Sequence, residues 1–135
     1  MTAGPPPFES LDFVYMPSRD PGADVRHFTE VLGGELVFAI EAFDTRVAMV
    51  RMTPGSPAVL LAGHLDGERP ILVFRVADLD AAVAAVEERG FEAGERFGIP
   101  HGPGCMLDAP GGQRLALYEL TRPETAERLV GRRDF

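Results

Sequence analysis

The segment FGIPHGPGCM, residues 97 to 106, sets an imidazole and a thiol four positions apart, in a loop stiffened by two prolines and three glycines. A histidine on a rigid loop suits hydrogen bonding or proton transfer near neutral pH, so His101 is the first candidate ligand-binding residue. The alternative is a histidine that only bonds backbone within a tight turn. Cys105 is the second candidate, as a nucleophile or thiolate beside His101. Flanked by Gly104 and Met106 on an expected strand, it reads more simply as a small core residue. No third group that would orient a Cys-His pair is evident, so no such catalytic arrangement is assigned.

Other side chains offer weaker signals. Arg75 interrupts the apolar run ILVFRVAD and shares a face with Val73. It either anchors an anionic group in a concavity or points to solvent or a dimer interface, and the second reading is preferred. Arg46 and Arg51 invite the same pair of readings, with solvent again the simpler. His64 ends the run AVLLAG, where it is able to reach a cavity mouth, and His27 falls off the apolar face of a helix. Phe13, Tyr15 and Tyr118, with Phe38 and Phe74, supply aromatic surface for the core or for stacking on a planar ligand.

These residues are carried by two similar segments, LDFVYMPSRDPGADVRHFTEVLGGELVFAI and ILVFRVADLDAAVAAVEERGFEAG. Each opens with a strand-like run, passes an Asp-containing turn, becomes helical, and stops at glycine before another strand. Val25, Phe28 and Leu32 share one helical face, as do Leu79, Ala82, Val83 and Val86. Asp78 fits an N-cap, with Gly90 the stop of that helix and Gly33 and Gly34 the stop of the first. Three strands should follow each helix, over about 35–42, 45–52 and 58–62, then about 91–96, 104–108 and 114–119. The turn FDT and the segment TPGSP break the first set, and GHLDGERP links the halves.

The order in each half is therefore β, α, β, β, β. One domain over residues 1–120 is expected, with module one over about 11–62 and module two over about 71–119. Residues 121–135 form an extension with a short helix near 124–130, which folds back, docks on a partner subunit or stays disordered.

At 135 residues, 45% hydrophobic and 25% charged, the chain suffices for one core without disulfides or a structural metal. One cysteine excludes an internal disulfide and a thiolate-rich metal site, and makes cytoplasm the default location. A net charge of −8 argues against nucleic acid and anionic lipid as partners. MTAGPPPFES has neither the basic region nor the apolar core of a leader, and no apolar run approaches the roughly 20 residues of a membrane span.

The tandem βαβββ order, with DAPGGQRLALYEL closing the second copy, resembles the vicinal oxygen chelate superfamily over about residues 11 to 120. That superfamily includes glyoxalase I, extradiol dioxygenases, methylmalonyl-CoA epimerase, fosfomycin-inactivating transferases and bleomycin-resistance proteins. The resemblance implies an α+β fold whose two modules form a curved mixed sheet with a ligand-sized concavity. Segments like IPHGP recur in small glyoxalase-like members. In metal-dependent members His, Glu or Gln on the first and last strands of each module hold a divalent ion that polarises substrate oxygens.

Carried over strand by strand, those positions fall on Leu11, Leu61, Ile71 and Ala116. A shift of one residue offers Asp12 on the first strand. Elsewhere it offers only Leu60 or Ala62, Leu72 or Pro70, and Leu115 or Leu117.

The leading expectation is a metal-free protein with no cofactor, holding a small organic molecule in an apolar cavity for sequestration or resistance, as a homodimer. The rival is a metal-dependent lyase, isomerase or dioxygenase with relocated ligands, drawn from His64, His101 and Asp12 or Glu41. A third reading is a non-enzymatic interaction domain with a filled concavity.

Overall fold

A computed structural model describes residues 7–42 and 44–135. Most of the expected leaderless start, MTAGPP, and Phe43 of the FDT turn lie outside the described residues. Module one comprises β1 (Ser10–Pro17), α1 (Pro21–Arg26), β2 (Glu35–Ala42), β3 (Thr45–Arg51) and β4 (Ala58–Ala62). Module two comprises β5 (Ile71–Val76), α2 (Leu79–Glu88), β6 (Ala93–Ile99), β7 (Gly102–Asp108) and β8 (Arg114–Glu119), and α3 (Pro123–Leu129) follows.

The helices start where the side chains can cap them. Asp20 accepts from the Ala23 N–H at 3.1 Å ahead of Pro21, and Asp78 accepts from the Ala81 N–H at 3.0 Å. Glu119 on β8 adds a second acceptor, taking the Leu79 N–H at 2.8 Å and so fastening α2 to the sheet. α2 ends at Gly90, whose φ of 86° suits glycine, and the Phe91 N–H returns to the Val86 carbonyl at 3.0 Å. This closing turn uses up Phe91 and Glu92, so β6 begins two residues later than the expected strand.

α1 runs on into a π-helical turn, His27–Val31, in which the Leu32 N–H reaches the His27 carbonyl at 3.1 Å. Thr29 bonds the Val25 carbonyl through its hydroxyl at 2.7 Å, which accompanies the wider turn. The wider turn rotates the end of the helix. Val25 stays buried, but Leu32, expected on the same apolar face, is 54% exposed.

All eight strands join one sheet in the order β2-β3-β4-β1-β5-β8-β7-β6. β1 runs parallel to β4, β5 runs parallel to β8, and β1 meets β5 antiparallel at the centre. The modules therefore sit side by side about the β1–β5 seam. α1 covers one half of one face over Val25, Ala39, Ala48, Val50 and Leu61. α2 covers the other half through Leu79, Val83 and Val86, worth about 1.5–3 kcal/mol each in apolar burial. The opposite face is concave and lined by the remaining cluster around Phe13, Phe38, Leu60, Val73 and Ala116.

The extension folds back on its own chain. From β8 it passes through α3, buries Leu129 among the residues of the concave cluster, and lies parallel to β2 at an Ala39–Arg133 bridge. The Gly131 N–H donates to the Val37 carbonyl at 2.8 Å, and the Ala39 N–H to the Arg132 carbonyl at 2.9 Å. No helix among the described residues is long and apolar enough to cross a membrane.

Candidate functional site: an apolar cavity on the concave face

Period-two alternation decides which side chains reach the concave face, and a bulge sets the phase on β1. Leu11 pairs with Phe74 and Phe13 with Val73, so Asp12 is the extra residue between them. From there Phe13 and Tyr15 point inward. Two rungs of the sheet form the floor: Ala58, Phe13, Val73 and Ala116 in one, and Leu60, Tyr15, Ile71 and Arg114 in the next. β6 and β7 raise one wall through Phe97, Ile99 and Met106, and β2 raises the other through Phe38 and Ile40. They enclose a cavity of about 780 Å³, within the range of small-molecule sites.

This phase corrects two of the positions carried over from the metal-dependent pattern. Ile71 and Ala116 line the cavity as expected, but Leu11 does not, because the bulge hands the inward position to Phe13. Leu61 is buried under α1 on the opposite face, and Leu60 is the inward residue of β4. The corrected set, Phe13, Leu60, Ile71 and Ala116, offers no metal donor.

A divalent ion wants imidazole or oxygen ligands with open positions, and this floor does not fit one. Among the described residues no three of His, Cys, Asp and Glu gather closely enough to hold an ion. Glu41 instead pairs with Arg46 at 2.8 Å, one position off the inward-facing Ile40 and Ala42.

His101 lies at one end of the cavity, 8% exposed, with its ring centroid 5.0 Å from Phe13 and 6.3 Å from Tyr118. Its backbone carbonyl accepts from the N–H groups of both Thr121 and Arg122 at 3.0 Å, which ties the loop to the start of the extension. Gly102 makes this possible: a Cβ there would lie 2.0 Å from the Glu119 carbonyl oxygen. Burial lowers the imidazole pKa from 6.5; Asp12 opposes that shift and Arg122 adds to it.

Tyr118 is buried beneath His101 and Phe13, and its hydroxyl donates to Asp12 Oδ2 in a short hydrogen bond. Ser10 donates to the other carboxylate oxygen at 2.5 Å, and Arg75 Nε lies 3.6 Å from Oδ2. Burial, then the Asp12 hydrogen bond, push the Tyr118 phenol above its ordinary range.

Arg75 does not line the cavity; it faces Asp12 and, at 3.8 Å, Glu9. With two carboxylates beside it, its charge is answered within the chain. Cys105 is fully buried on the helix side of β7, among Val83, Val86 and Leu107, because alternation turns Met106 inward instead. There the thiol pKa is raised by burial, so Cys105 is placed as a core residue rather than a cavity contact.

At the other end, Tyr15 carries its hydroxyl 3.4 Å from His64 Nε2, and His64 Nδ1 lies 3.4 Å from Thr45 Oγ1. Burial pushes the Tyr15 phenol up to about 12. Arg114 also lines this region, but its Nη1 already donates to the Asp66 carbonyl at 3.2 Å and the Arg69 carbonyl at 3.0 Å. The structure thus brings His101, Phe13 and Tyr118 together at one end and sets Tyr15 apart with His64.

Sequence reasoning did not single out Phe97, Ile99 and Met106, nor the charged lining residues Glu95, Asp108 and Arg114. Their signal was available in the period of two along β6, β7 and β8, once Ala116 had been fixed as inward.

An eight-stranded sheet of two βαβββ modules around a concave cavity defines the vicinal oxygen chelate fold, and this chain has it. The methylmalonyl-CoA epimerase of Mycobacterium tuberculosis superposes with a TM-score of 0.75 at 20% identity, over 93% of this chain and 97% of that one. A variant of the Streptomyces coelicolor methylmalonyl-CoA epimerase, solved with 2-nitronate-propionyl-CoA, gives 0.67 at 20% identity, over 84% of this chain and 99% of that one. No protein-family model and no curated protein sequence matches the chain. At these identities the likeness establishes the fold.

Proposed function

We propose that the protein binds a small, largely apolar organic molecule in this cavity without a catalytic metal ion, as a sequestering or resistance protein does. One observation carries the reading: the inward residues at the four positions that hold the ion in the metal-dependent pattern are Phe13, Leu60, Ile71 and Ala116, part of the floor of a cavity of about 780 Å³. Such a floor excludes water from an apolar ligand and holds no ion. The epimerase likeness is consistent with small-molecule binding on this fold, since one of those proteins was solved with 2-nitronate-propionyl-CoA.

The test is metal content of tag-free protein, incubated with Mn, Fe, Co, Ni and Zn and then desalted, beside a thermal-shift screen of aromatic compounds. Retention below about one ion per ten chains, with stabilisation by at least one apolar compound, is the expected result. Retention of about one ion per chain would overturn the metal-free reading and favour a lyase, isomerase or dioxygenase.

The reading includes a cytoplasmic homodimer. Val31 and Leu32 stand 69% and 54% exposed at the end of the first helix, with Met52 at 36%, and a dimer contact would cover such surface. Sedimentation velocity decides it: a monomer at micromolar concentration would remove the dimer from the proposal.

A further inference from the structure

Ser18 and His101 are the buried polar residues among those described. The Ser18 hydroxyl donates to Asp24 at 2.5 Å. The His101 ring has no hydrogen-bond partner among the described residues, although it is nine-tenths buried and lines the cavity. Among the described residues the buried side-chain atom that lacks a hydrogen-bond partner is Arg75 Nε; the imidazole nitrogens instead keep access to the cavity, and a ligand that fills it must offer them a partner or leave them unsatisfied. The neighbouring phenol of Tyr118 donates its proton to Asp12, and its ring centroid stands 6.3 Å from that of His101.

We infer that His101 is the polar anchor of the cavity, its ring nitrogen bonding the hydroxyl group of an uncharged aromatic ligand; this rests on the binding reading above. The aromatic part follows from the walls. Phe13, Tyr15, Phe38 and Phe97 all line the cavity, and flat rings pack against them with large apolar burial.

The absence of charge follows from what surrounds the anchor. Burial lowers the His101 pKa, Asp12 raises it and Arg122 lowers it, so the ring is neutral at neutral pH. A neutral imidazole has one donor and one acceptor nitrogen, which suits a phenolic hydroxyl in either tautomer. A carboxylate placed there would be desolvated without a free countercharge. Arg114, the cation that lines the cavity, is already held by two backbone carbonyls, and Glu95 and Asp108 line it with negative charge.

The anchor is also rigid before any ligand arrives. Its carbonyl is held by Thr121 and Arg122, and Arg122 reaches across to the Ile99 carbonyl at 2.6 Å. Little ordering remains to oppose binding.

Calorimetric titration with 2-naphthol, naphthalene and 2-naphthoate at neutral pH tests this on the full chain and on His101→Phe, which keeps a ring of similar size. The expected result is 2-naphthol binding about tenfold tighter than naphthalene, as one hydrogen bond allows, with 2-naphthoate weakest. In His101→Phe the advantage of 2-naphthol should vanish while naphthalene binding persists, and His101→Asn should retain part of it. Equal binding of 2-naphthol and naphthalene by the wild type, a preference for 2-naphthoate, or an unchanged preference in His101→Phe would each overturn the anchor and leave the binding reading standing. Failure of the wild type to bind any of the three would overturn both. Should His101→Phe not fold, the wild-type comparison still decides.

Discussion

The Tyr118 hydroxyl donates to the Asp12 carboxylate across 106 positions of sequence, joining the last strand of module two to the bulge in the first strand of module one. Asp12 is 12% exposed in its side chain, so the bond is shielded from water. Tyr118→Phe leaves that carboxylate one donor short and should cost about 1–3 kcal/mol. Urea denaturation measures this, and an unchanged midpoint would show that Ser10 and Arg75 alone satisfy Asp12.

The two inward tyrosines predict alkaline sensitivity. Tyr15 is pushed up to about 12 and Tyr118 is also raised, both first by burial, from an ordinary value of 10.0. Above pH 10 the unfolded chain releases phenolic protons that the folded chain keeps. Stability should therefore be intact below pH 10 and fall as pH rises toward 12. Denaturation midpoints across that window should flatten in a Tyr15→Phe, Tyr118→Phe double variant.

His101 predicts the opposite limb. Its pKa is lowered from 6.5 in the folded state, mainly by burial, so below pH 6.5 the unfolded chain takes up the proton more readily. Stability should fall as pH drops from 6.5 toward the folded pKa. Subtracting the midpoints of His101→Phe from those of the wild type between pH 7.5 and pH 5 isolates this component. A flat difference would mean that the imidazole is not desolvated.

Ala116 and Cys105 face opposite sides of neighbouring strands, which gives a paired test. Ala116→Phe projects into the open cavity and should abolish naphthol binding while shifting Tm by only a few degrees. Cys105→Phe pushes into the packed interior under α2 and should cost more than about 2 kcal/mol with the cavity untouched. Thermal melts and the same titration read both, and equal Tm losses would contradict the assigned faces.

Leu129 carries the extension into the concave cluster. Leu129→Ala should destabilise by about 2–4 kcal/mol, as removal of a buried leucine side chain does. A loss below about 0.5 kcal/mol in chemical denaturation would show that the extension contributes little to the core.

Much of the fold was legible because its signals are local. Asp78 and Gly90 bracket α2, and β2, β4 and β8 begin and end at the expected residues. The phase of β1 was not legible. A bulge adds one residue without changing composition or alternation at either side, and that one residue decided between Leu11 and Phe13. Leu32 failed for a similar reason, since a single π-helical turn rotates everything after it.

The site divides in the same way. His101 stood out through its Pro- and Gly-rich loop, whereas Cys105 drew attention by its chemistry and only strand phase shows that it faces the helix. The Asp12–Tyr118 pair links residues with no shared local pattern, so nothing short of the tertiary fold joins them.

Pairing along the rim of β2 has a consequence for how the molecule keeps to itself. A bare outer strand offers its N–H and C=O groups to any passing chain, and here residues 131–134 occupy part of that row in advance. At the far border of the sheet, β6 carries Glu95 and Arg96, charges that discourage the same encounter. The final residues thus act as a built-in guard against sheet-to-sheet polymerisation, held down where Arg46 lies 4.9 Å over the Phe135 ring. A fusion that pulls them away would trade that guard for an open edge and invite fibrous aggregation.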